Sequence, residues 1–184
     1  MIIWITGLSG AGKTTIAKAL VERLKHTTPA VIHLDGDDIR HCIQDPNTGH
    51  DRDSRLANAL RICRFAKLFE QQNFLVVVST MSLFHEIHDW NRANFDAYRE
   101  IFVKVHIDTL KQRNARGLYS SVASGEVQNV VGIDLIIEEP QEPDLILNNN
   151  HPQEHFDELV EQILAIIPSE IVQGFTPSDL SNVL

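Results

Sequence analysis

The feature that constrains this chain most is the octapeptide GLSGAGKT at residues 7–14. It follows the apolar run 2–5 and leads into a helix-prone stretch from Thr15, so the pattern G-x-x-x-x-G-K-[ST] lies in the strand, loop and helix context that it needs. In such a loop, successive backbone N–H groups point into one concavity, and the start of the helix adds partial positive charge there. The pattern predicts a site for the phosphates of a nucleoside triphosphate, formed by Gly7, Ser9, Gly10, Ala11, Gly12, Lys13, Thr14 and Thr15.

Two side chains of this loop carry the predicted chemistry. Lys13 is expected to reach the β- and γ-phosphates of the nucleotide, and the Thr14 hydroxyl is expected to ligate Mg²⁺. The alternative is a glycine-rich turn that merely joins a core strand to a helix. The complete match in the required context favours the phosphate-binding interpretation.

Composition and charge narrow the class of protein. A chain of 184 residues with 43% hydrophobic content fits one domain, residues 1–184, with a substantial core. The formal net charge of -9 argues against a nucleic-acid partner, because contact with many phosphates needs an excess of Lys and Arg.

Cysteine usage and hydropathy indicate a soluble, cytoplasmic protein. Cys42 and Cys63 are too far apart for a Cys-x-x-Cys motif, so we expect reduced thiols. Apolar runs stay well short of the ~18 residues that a membrane span requires. A membrane is therefore not an expected partner.

Apolar runs alternate with helix-like stretches along the chain. The predicted strands are 2–5, 30–34, 74–78, 101–107 and 144–147, and the predicted helices are 13–25, 54–71, 84–100 and 153–167. Since each link is long enough for a crossover, the alternation predicts an α/β fold: a five-stranded parallel sheet with helices on both faces.

Two regions have little core pattern. The region from about 109 to 139 is rich in polar and small residues, which is typical of a mobile lid. Residues 153–184 are expected to form a C-terminal helix followed by a tail, and the pattern gives that tail no role.

Four segments, in order, resemble the adenylylsulfate (APS) kinase family: GLSGAGKTT at 7–15, LDGDDIR at 34–40, RGLY at 116–119 and GID at 132–134. The resemblance implies a P-loop kinase fold in which MgATP phosphorylates the ribose 3′-hydroxyl of adenosine 5′-phosphosulfate. It also implies a small nucleotide acceptor and a homodimer.

The resemblance assigns roles to the acidic turn at 35–40. Asp37 and Arg40 are expected at the acceptor, and Asp35 or Asp37 is expected to assist the attacking hydroxyl or to hold the water shell of the metal. The alternative is a capped strand end, in which Asp37 or Asp38 caps the next helix.

Further acceptor contacts are implied at matching positions. Arg55 and Asn58 match the family's Asp-Arg-x-Glu-Asn segment and are expected to bind the 5′-phosphate and its neighbours; the alternative is a solvated helix face. Ser82 stands for the serine of the family's Ile-Ser-Pro turn, or else caps a helix. Ile133 belongs to the matched Gly-Ile-Asp segment and is also expected at the acceptor.

Arg116 replaces the lysine of the family's Lys-Gly-Leu-Tyr motif. Together with Arg113 it is expected to close over the transferring phosphoryl group and neutralise its oxygens. The alternative for both is a solvated lid arginine.

The chain departs from the family at the acceptor base. Two phenylalanines sandwich the adenine in family members, but His50 and Val130 stand in their places here. Loss of two stacking rings disfavours a purine by on the order of 1–3 kcal/mol per ring. Cytidine diphosphoramidate, a nucleotide used in bacterial capsule biosynthesis, is therefore a candidate acceptor beside the APS of sulfate assimilation.

Two other classes of function share the first motif. One is a P-loop kinase for a small non-nucleotide metabolite such as a sugar acid, which does not account for the later segments. The other is a non-catalytic nucleotide-binding regulatory module, which would bind ATP without turnover that depends on an acceptor.

Overall fold

A parallel five-stranded sheet forms the centre of the computed structural model, and it confirms the predicted α/β architecture. The strands are β1 Ile2–Gly7, β2 Val31–Asp35, β3 Leu75–Ser79, β4 Tyr98–Lys104 and β5 Leu145–Asn148, in the spatial order β2-β3-β1-β4-β5. The structure describes residues 1–28, 30–44, 49, 51–114, 117, 137–150, 156–169 and 171.

Helices connect the strands and cover the sheet. They are α1 Lys13–Lys25, α2 Gly36–Ile43, α3 Arg52–Glu70, α4 His85–Asn94, α5 Ile107–Arg113 and α6 Phe156–Leu164. The acidic stretch predicted as a turn is the first part of α2. Helix α5 occupies the beginning of the predicted lid, most of which lies outside the described residues, as does most of the predicted tail.

The predicted helix over 84–100 is wrong in its second half. Helix α4 ends at Asn94, and Tyr98 already pairs with Ile2 in the sheet. Hydropathy does not predict a strand here because Glu100 is charged, yet its side chain is almost fully buried. Glu100 is stabilised there by hydrogen bonds from Arg92 and Tyr98. The strand predicted at 101–107 thus starts earlier and ends at Lys104.

The alternation of side chains along β1 divides the core between the two faces of the sheet. Ile3 and Ile5 pack with residues of α1, α5 and α6, whereas Ile2 and Trp4 pack with residues of α3 and α4. Every residue of β1 is buried, as expected for the central strand of a parallel sheet that is covered on both sides.

The end of β1 is where the backbone must turn toward the loop. Gly7 has a φ of 149°, and a Cβ there would lie 2.5 Å from the carbonyl oxygen of Val103. Only glycine fits this close approach to β4.

Among the described residues, none of the helices is both long enough and apolar enough to cross a membrane.

Candidate active site

A cleft of about 600 Å³ opens at the carboxyl edge of the sheet. Parallel α/β sheets collect ligands at this edge. Its walls come from the loop after β1, the start of α2, one face of α3, the end of β3, and a group formed by Arg113, Asn149 and Phe156.

The loop after β1 forms the floor of the cleft. Ser9, Gly10, Gly12, Lys13, Thr14 and Thr15 line it. Ala11 is fully buried and Gly7 is the last residue of β1, so these two residues support the loop from the side that faces the core. The left-handed φ of 97° at Gly12 permits the turn into α1.

Lys13 folds back over this loop. Its Nζ donates a hydrogen bond of 2.9 Å to the carbonyl oxygen of Leu8. Burial lowers the pKa of Lys13 to about 8, although the charges of Asp37 and Asp35 act in the opposite direction. Lys13 is thus a partly buried cation at the floor of the cleft, as expected for a group that receives an anion.

Asp35 connects the loop to the neighbouring strands. Its Oδ2 accepts hydrogen bonds of 2.7 Å from both the Thr14 and the Ser79 hydroxyls, and its Oδ1 accepts one of 2.9 Å from the backbone N–H of Asp37. Burial acts to raise the pKa of Asp35, but the bonds from Ser79, Thr14 and Asp37 outweigh it and lower this pKa below the usual value. Asp35 is thus an ionised carboxylate with three donors.

The hydrogen bond from the backbone N–H of Asp37 to the Asp35 side chain identifies Asp35 as the N-cap of α2. Sequence reasoning had offered Asp37 or Asp38 as the capping residue, and the structure corrects this. Asp37 instead lies in the first turn of α2 and is exposed in the cleft, close enough for its charge to act on Lys13.

Arg40, Arg55 and Asn58 line the opposite end of the cleft. Arg40 donates a hydrogen bond of 3.1 Å to the carbonyl oxygen of Gly49. Arg55 and Asn58 are three residues apart on α3 and therefore share one helix face. The structure brings these predicted acceptor residues together with Lys13.

Asn58 has an unusual environment. Its side chain is 5% exposed, and its Oδ1 has no hydrogen-bond partner among the described residues. A buried acceptor without a donor costs roughly 1–3 kcal/mol. Such a group at the wall of a cleft is available to a donor from a ligand.

Sequence reasoning missed two residues at the end of the cleft nearest the loop. Asn149, directly after β5, donates from Nδ2 to the carbonyl oxygen of Ala11 at 2.8 Å. Phe156 begins α6, and its ring lies 3.5 Å from a Cβ built on Gly12. The signal available for Asn149 was its position at the carboxyl end of a strand.

Arg113 belongs to the same group. Its Nη2 donates to the Asn149 carbonyl oxygen at 2.7 Å, and its Nη1 donates to that of Gly10 at 3.4 Å. The residue therefore lines the cleft at the loop, tied to the backbone on two sides.

Ser82 does not reach the cleft. Its side chain is fully buried, and its Oγ accepts a hydrogen bond of 2.8 Å from the indole N–H of Trp4. A buried indole needs such a partner. Helix α4 begins after Phe84 with no side-chain cap, so Ser82 stabilises the interior and is neither the predicted acceptor ligand nor the predicted cap.

Four predicted site residues lie outside the part of the chain that the structure describes: His50, Arg116, Val130 and Ile133.

Comparison of the sequence with known families gives one match that spans most of the chain. A family described as adenylylsulphate kinase matches residues 1–148. The matched range includes the loop after β1, α2, α3 and all five strands.

Two relatives carry different names. A cytidine diphosphoramidate kinase from Campylobacter jejuni is 41% identical over 163 residues, which are 89% of this chain and 94% of that protein. An adenylyl-sulfate kinase from Bacillus velezensis is also 41% identical, over 150 residues that are 80% of this chain and 76% of that protein.

Solved structures include one with the same architecture. The Mycobacterium tuberculosis APS kinase in complex with AMPPNP and APS superposes with a TM-score of 0.78 at 30% identity, over 89% of this chain and 95% of that one.

Proposed function

This chain belongs to the adenylylsulphate kinase family, and from that premise we propose that it transfers the γ-phosphate of MgATP to the ribose 3′-hydroxyl of cytidine diphosphoramidate. That it is a kinase follows from the family; the acceptor is the proposal. One observation carries it: the cleft keeps the phosphate loop and the matched Arg40 and Arg55, while His50 and Val130 stand where the resemblance places the two rings that stack on an adenine.

The donor end of the cleft suits a triphosphate. Lys13 and the backbone N–H groups of the loop would receive the β- and γ-phosphates. Phe156 would stack on the base of the donor, since its ring lines the cleft near the phosphate loop.

The chain also fits the magnesium ion that accompanies ATP. Thr14 Oγ1 and Asp35 Oδ2 lie 2.7 Å apart, and hydroxyl and carboxylate oxygens are the ligands that Mg²⁺ prefers. The described residues contain no cluster of three or more His, Cys, Asp or Glu side chains arranged for a metal. This agrees with an ion that takes most of its ligands from phosphate and water. Such an ion supplies charge neutralisation at the phosphates.

We assign the two aspartates different roles. Asp35 already accepts three hydrogen bonds, and its lowered pKa makes it a poor proton acceptor. Asp37 is exposed in the cleft on the first turn of α2. Asp37 therefore accepts the proton of the attacking hydroxyl, while Asp35 holds Thr14 on the metal side.

The acceptor end supports an amidated nucleotide. Arg40 and Arg55 provide positive charge for the 5′-phosphates. Asn58 Oδ1 has no donor among the described residues, and the terminal amine of a phosphoramidate carries N–H groups that could supply one. In the full site we expect Arg116 to neutralise the transferring phosphoryl group and Ile133 to contact the acceptor.

The decisive experiment is a comparison of acceptors. Purified protein with MgATP is given APS or cytidine diphosphoramidate, and ADP release is measured with and without each. We expect the higher kcat/KM with the cytidine compound. Faster turnover of APS would make the protein an adenylyl-sulfate kinase, and ADP release that ignores the acceptor would point to a regulatory nucleotide-binding module.

A paired substitution tests the base pocket independently. Restoring both rings with His50→Phe and Val130→Phe should shift preference toward adenine acceptors. An unchanged base preference would mean that these positions do not line the pocket. The homodimer implied by the family resemblance stays a prediction, to be checked by light scattering.

A further inference from the structure

We propose that His33 is a positioning residue for the phosphate and metal site: through the Ser79 hydroxyl it orients the carboxylate of Asp35 that receives Thr14. The inference rests on the proposed role of Thr14 and Asp35 beside a divalent cation.

The register of the sheet places these groups in a row. Asp35 of β2 pairs with Ser79 of β3. His33 stands two residues before Asp35, and side chains two apart on a strand share a face. His33 Nε2 lies 2.9 Å from Ser79 Oγ, which lies 2.7 Å from Asp35 Oδ2, which in turn accepts from Thr14 at 2.7 Å.

The number of hydrogens available fixes which group donates in each of these hydrogen bonds. The Ser79 hydroxyl has one hydrogen, and both carboxylate oxygens of Asp35 act as acceptors in their contacts, so Ser79 donates to Asp35. The remaining contact must then run from an N–H at His33 Nε2 to the oxygen of Ser79. A ring that carries a hydrogen on Nε2 satisfies this contact.

The Ser79 hydroxyl depends on this donor. Ser79 is 2% exposed, so its oxygen relies on His33, at 2.9 Å, and not on bulk water for a donor. With the N–H in place, the hydroxyl is held toward Asp35, and each bond in such a chain strengthens the next. The proposed path therefore runs from His33 on the half-buried flank of β2 to the hydroxyl expected to ligate the metal.

The matched variants are His33→Leu and His33→Gln. Leucine removes the donor, whereas the glutamine amide can place an N–H near the position of Nε2. The first readout is the affinity of the ADP-bound protein for Mn²⁺, titrated by electron paramagnetic resonance. We expect a loss of about 10-fold for His33→Leu, at the lower end of the 10–100-fold typical of outer-shell partners, and recovery of most of it in His33→Gln.

Kinetics supply a second readout. His33→Leu should raise the KM for MgATP while kcat at saturating metal and the KM for the acceptor change little. Ser79→Ala should show the same pattern, and combining the two changes should add little, because both break one path. His26→Leu, an exposed histidine just after α1, is the control and should leave every quantity unchanged.

The tautomer can be observed directly. ¹⁵N-resolved NMR should find the hydrogen of His33 on Nε2, and a hydrogen on Nδ1 alone would overturn the proposal. Unchanged Mn²⁺ affinity in a folded His33→Leu or Ser79→Ala variant would overturn it too, as would equal losses in the leucine and glutamine variants. Since Mn²⁺ binding is measured without an acceptor, a wrong assignment of the acceptor leaves this test intact.

Discussion

The donor and acceptor ends of the cleft differ in how their polar groups are satisfied. At the donor end, carbonyl oxygens of the phosphate loop accept hydrogen bonds from Lys13, Arg113 and Asn149. At the acceptor end, Asp37 is exposed and the buried Asn58 Oδ1 has no partner within the described part of the chain. The donor end is therefore held in place by its own hydrogen bonds, whereas the acceptor end has a buried acceptor, Asn58 Oδ1, that is available to a ligand.

This difference separates affinity for phosphate from choice of substrate. A loop that is fixed before binding loses little freedom when a triphosphate arrives, and its dipoles already point at the charge. A buried acceptor without a donor instead rewards the ligand that supplies one and penalises the ligand that does not. Specificity in this enzyme should therefore depend on the acceptor end.

The largest expected effect tests the donor end. Lys13→Ala should lower kcat by roughly 10³–10⁵-fold, the range known for cations that neutralise a transferring phosphoryl group. Thermal stability without ligand should change little, because Lys13 makes its described hydrogen bond to the loop itself and is held with a pKa of about 8. Steady-state kinetics and thermal unfolding check both parts, with the exposed Lys18→Ala as control. A large fall in the Tm of the ligand-free variant would contradict this role.

The next largest effect concerns the residue that accepts the proton of the attacking hydroxyl. Asp37→Asn should lower kcat by about 10²–10⁴-fold while ATP still binds, because proton acceptance is lost and the phosphate loop is intact. Turnover and calorimetric ATP binding give the two numbers. Asp38→Asn, a change at the exposed neighbour that does not line the cleft, should be neutral. Near-normal rates for Asp37→Asn would move the base to Asp35.

A smaller effect is expected where the donor base stacks. Phe156→Ala should raise the KM for ATP by roughly 5- to 150-fold, which corresponds to the 1–3 kcal/mol of a lost base–aromatic contact. Initial rates over a range of ATP concentrations measure it. Phe65→Ala removes a ring that is 38% exposed on α3 and is the matched control. Equal KM values in the two variants would remove Phe156 from the site.

The smallest kinetic effect gives the sharpest contrast between the two ends. Asn58→Leu should raise the KM for the acceptor by about 10-fold, while relief of a buried unpaired acceptor stabilises the ligand-free protein by up to about 1–3 kcal/mol. Denaturant unfolding and acceptor titrations at saturating MgATP measure the two changes. If the variant were less stable and its KM unchanged, Asn58 would be a core residue and the contrast would fail.

The parts of the site that sequence predicts best are those whose geometry is local. Lys13 and Thr14 follow from one loop, because spacing within an octapeptide fixes where each group points. Arg55 and Asn58 were expected at the acceptor from the family resemblance, and their spacing on α3 then places them on one helix face. The order of strands and helices likewise follows from local apolar runs, and the parallel sheet follows from their alternation.

What sequence misses depends on contacts between distant segments. Asn149 and Phe156 reach the loop only because β5 and α6 fold against it. Ser82 lies away from the cleft because its hydroxyl accepts a hydrogen bond from the indole of Trp4, a residue far away in the sequence. The strand that includes Glu100 is concealed for a different reason: a carboxylate in the sequence indicates exposure, whereas here Arg92 and Tyr98 donate to it inside the protein.

The position of β1 in the middle of the sheet has a consequence for how the protein is made. Its neighbours are β3 and β4, so Ile2 must wait for Val76 and Tyr98 before it can pair. At the usual 5–20 residues per second of synthesis, this strand stays unpaired for several seconds after it is made. Parallel pairing over such separations is also slow to nucleate.

The loop that follows β1 waits longest of all, because the carbonyl oxygen of Ala11 receives its hydrogen bond from Asn149. The first segment synthesised is thus among the last to be completed. A nascent chain released before β5 emerges should bind no nucleotide, however long its first helix has existed.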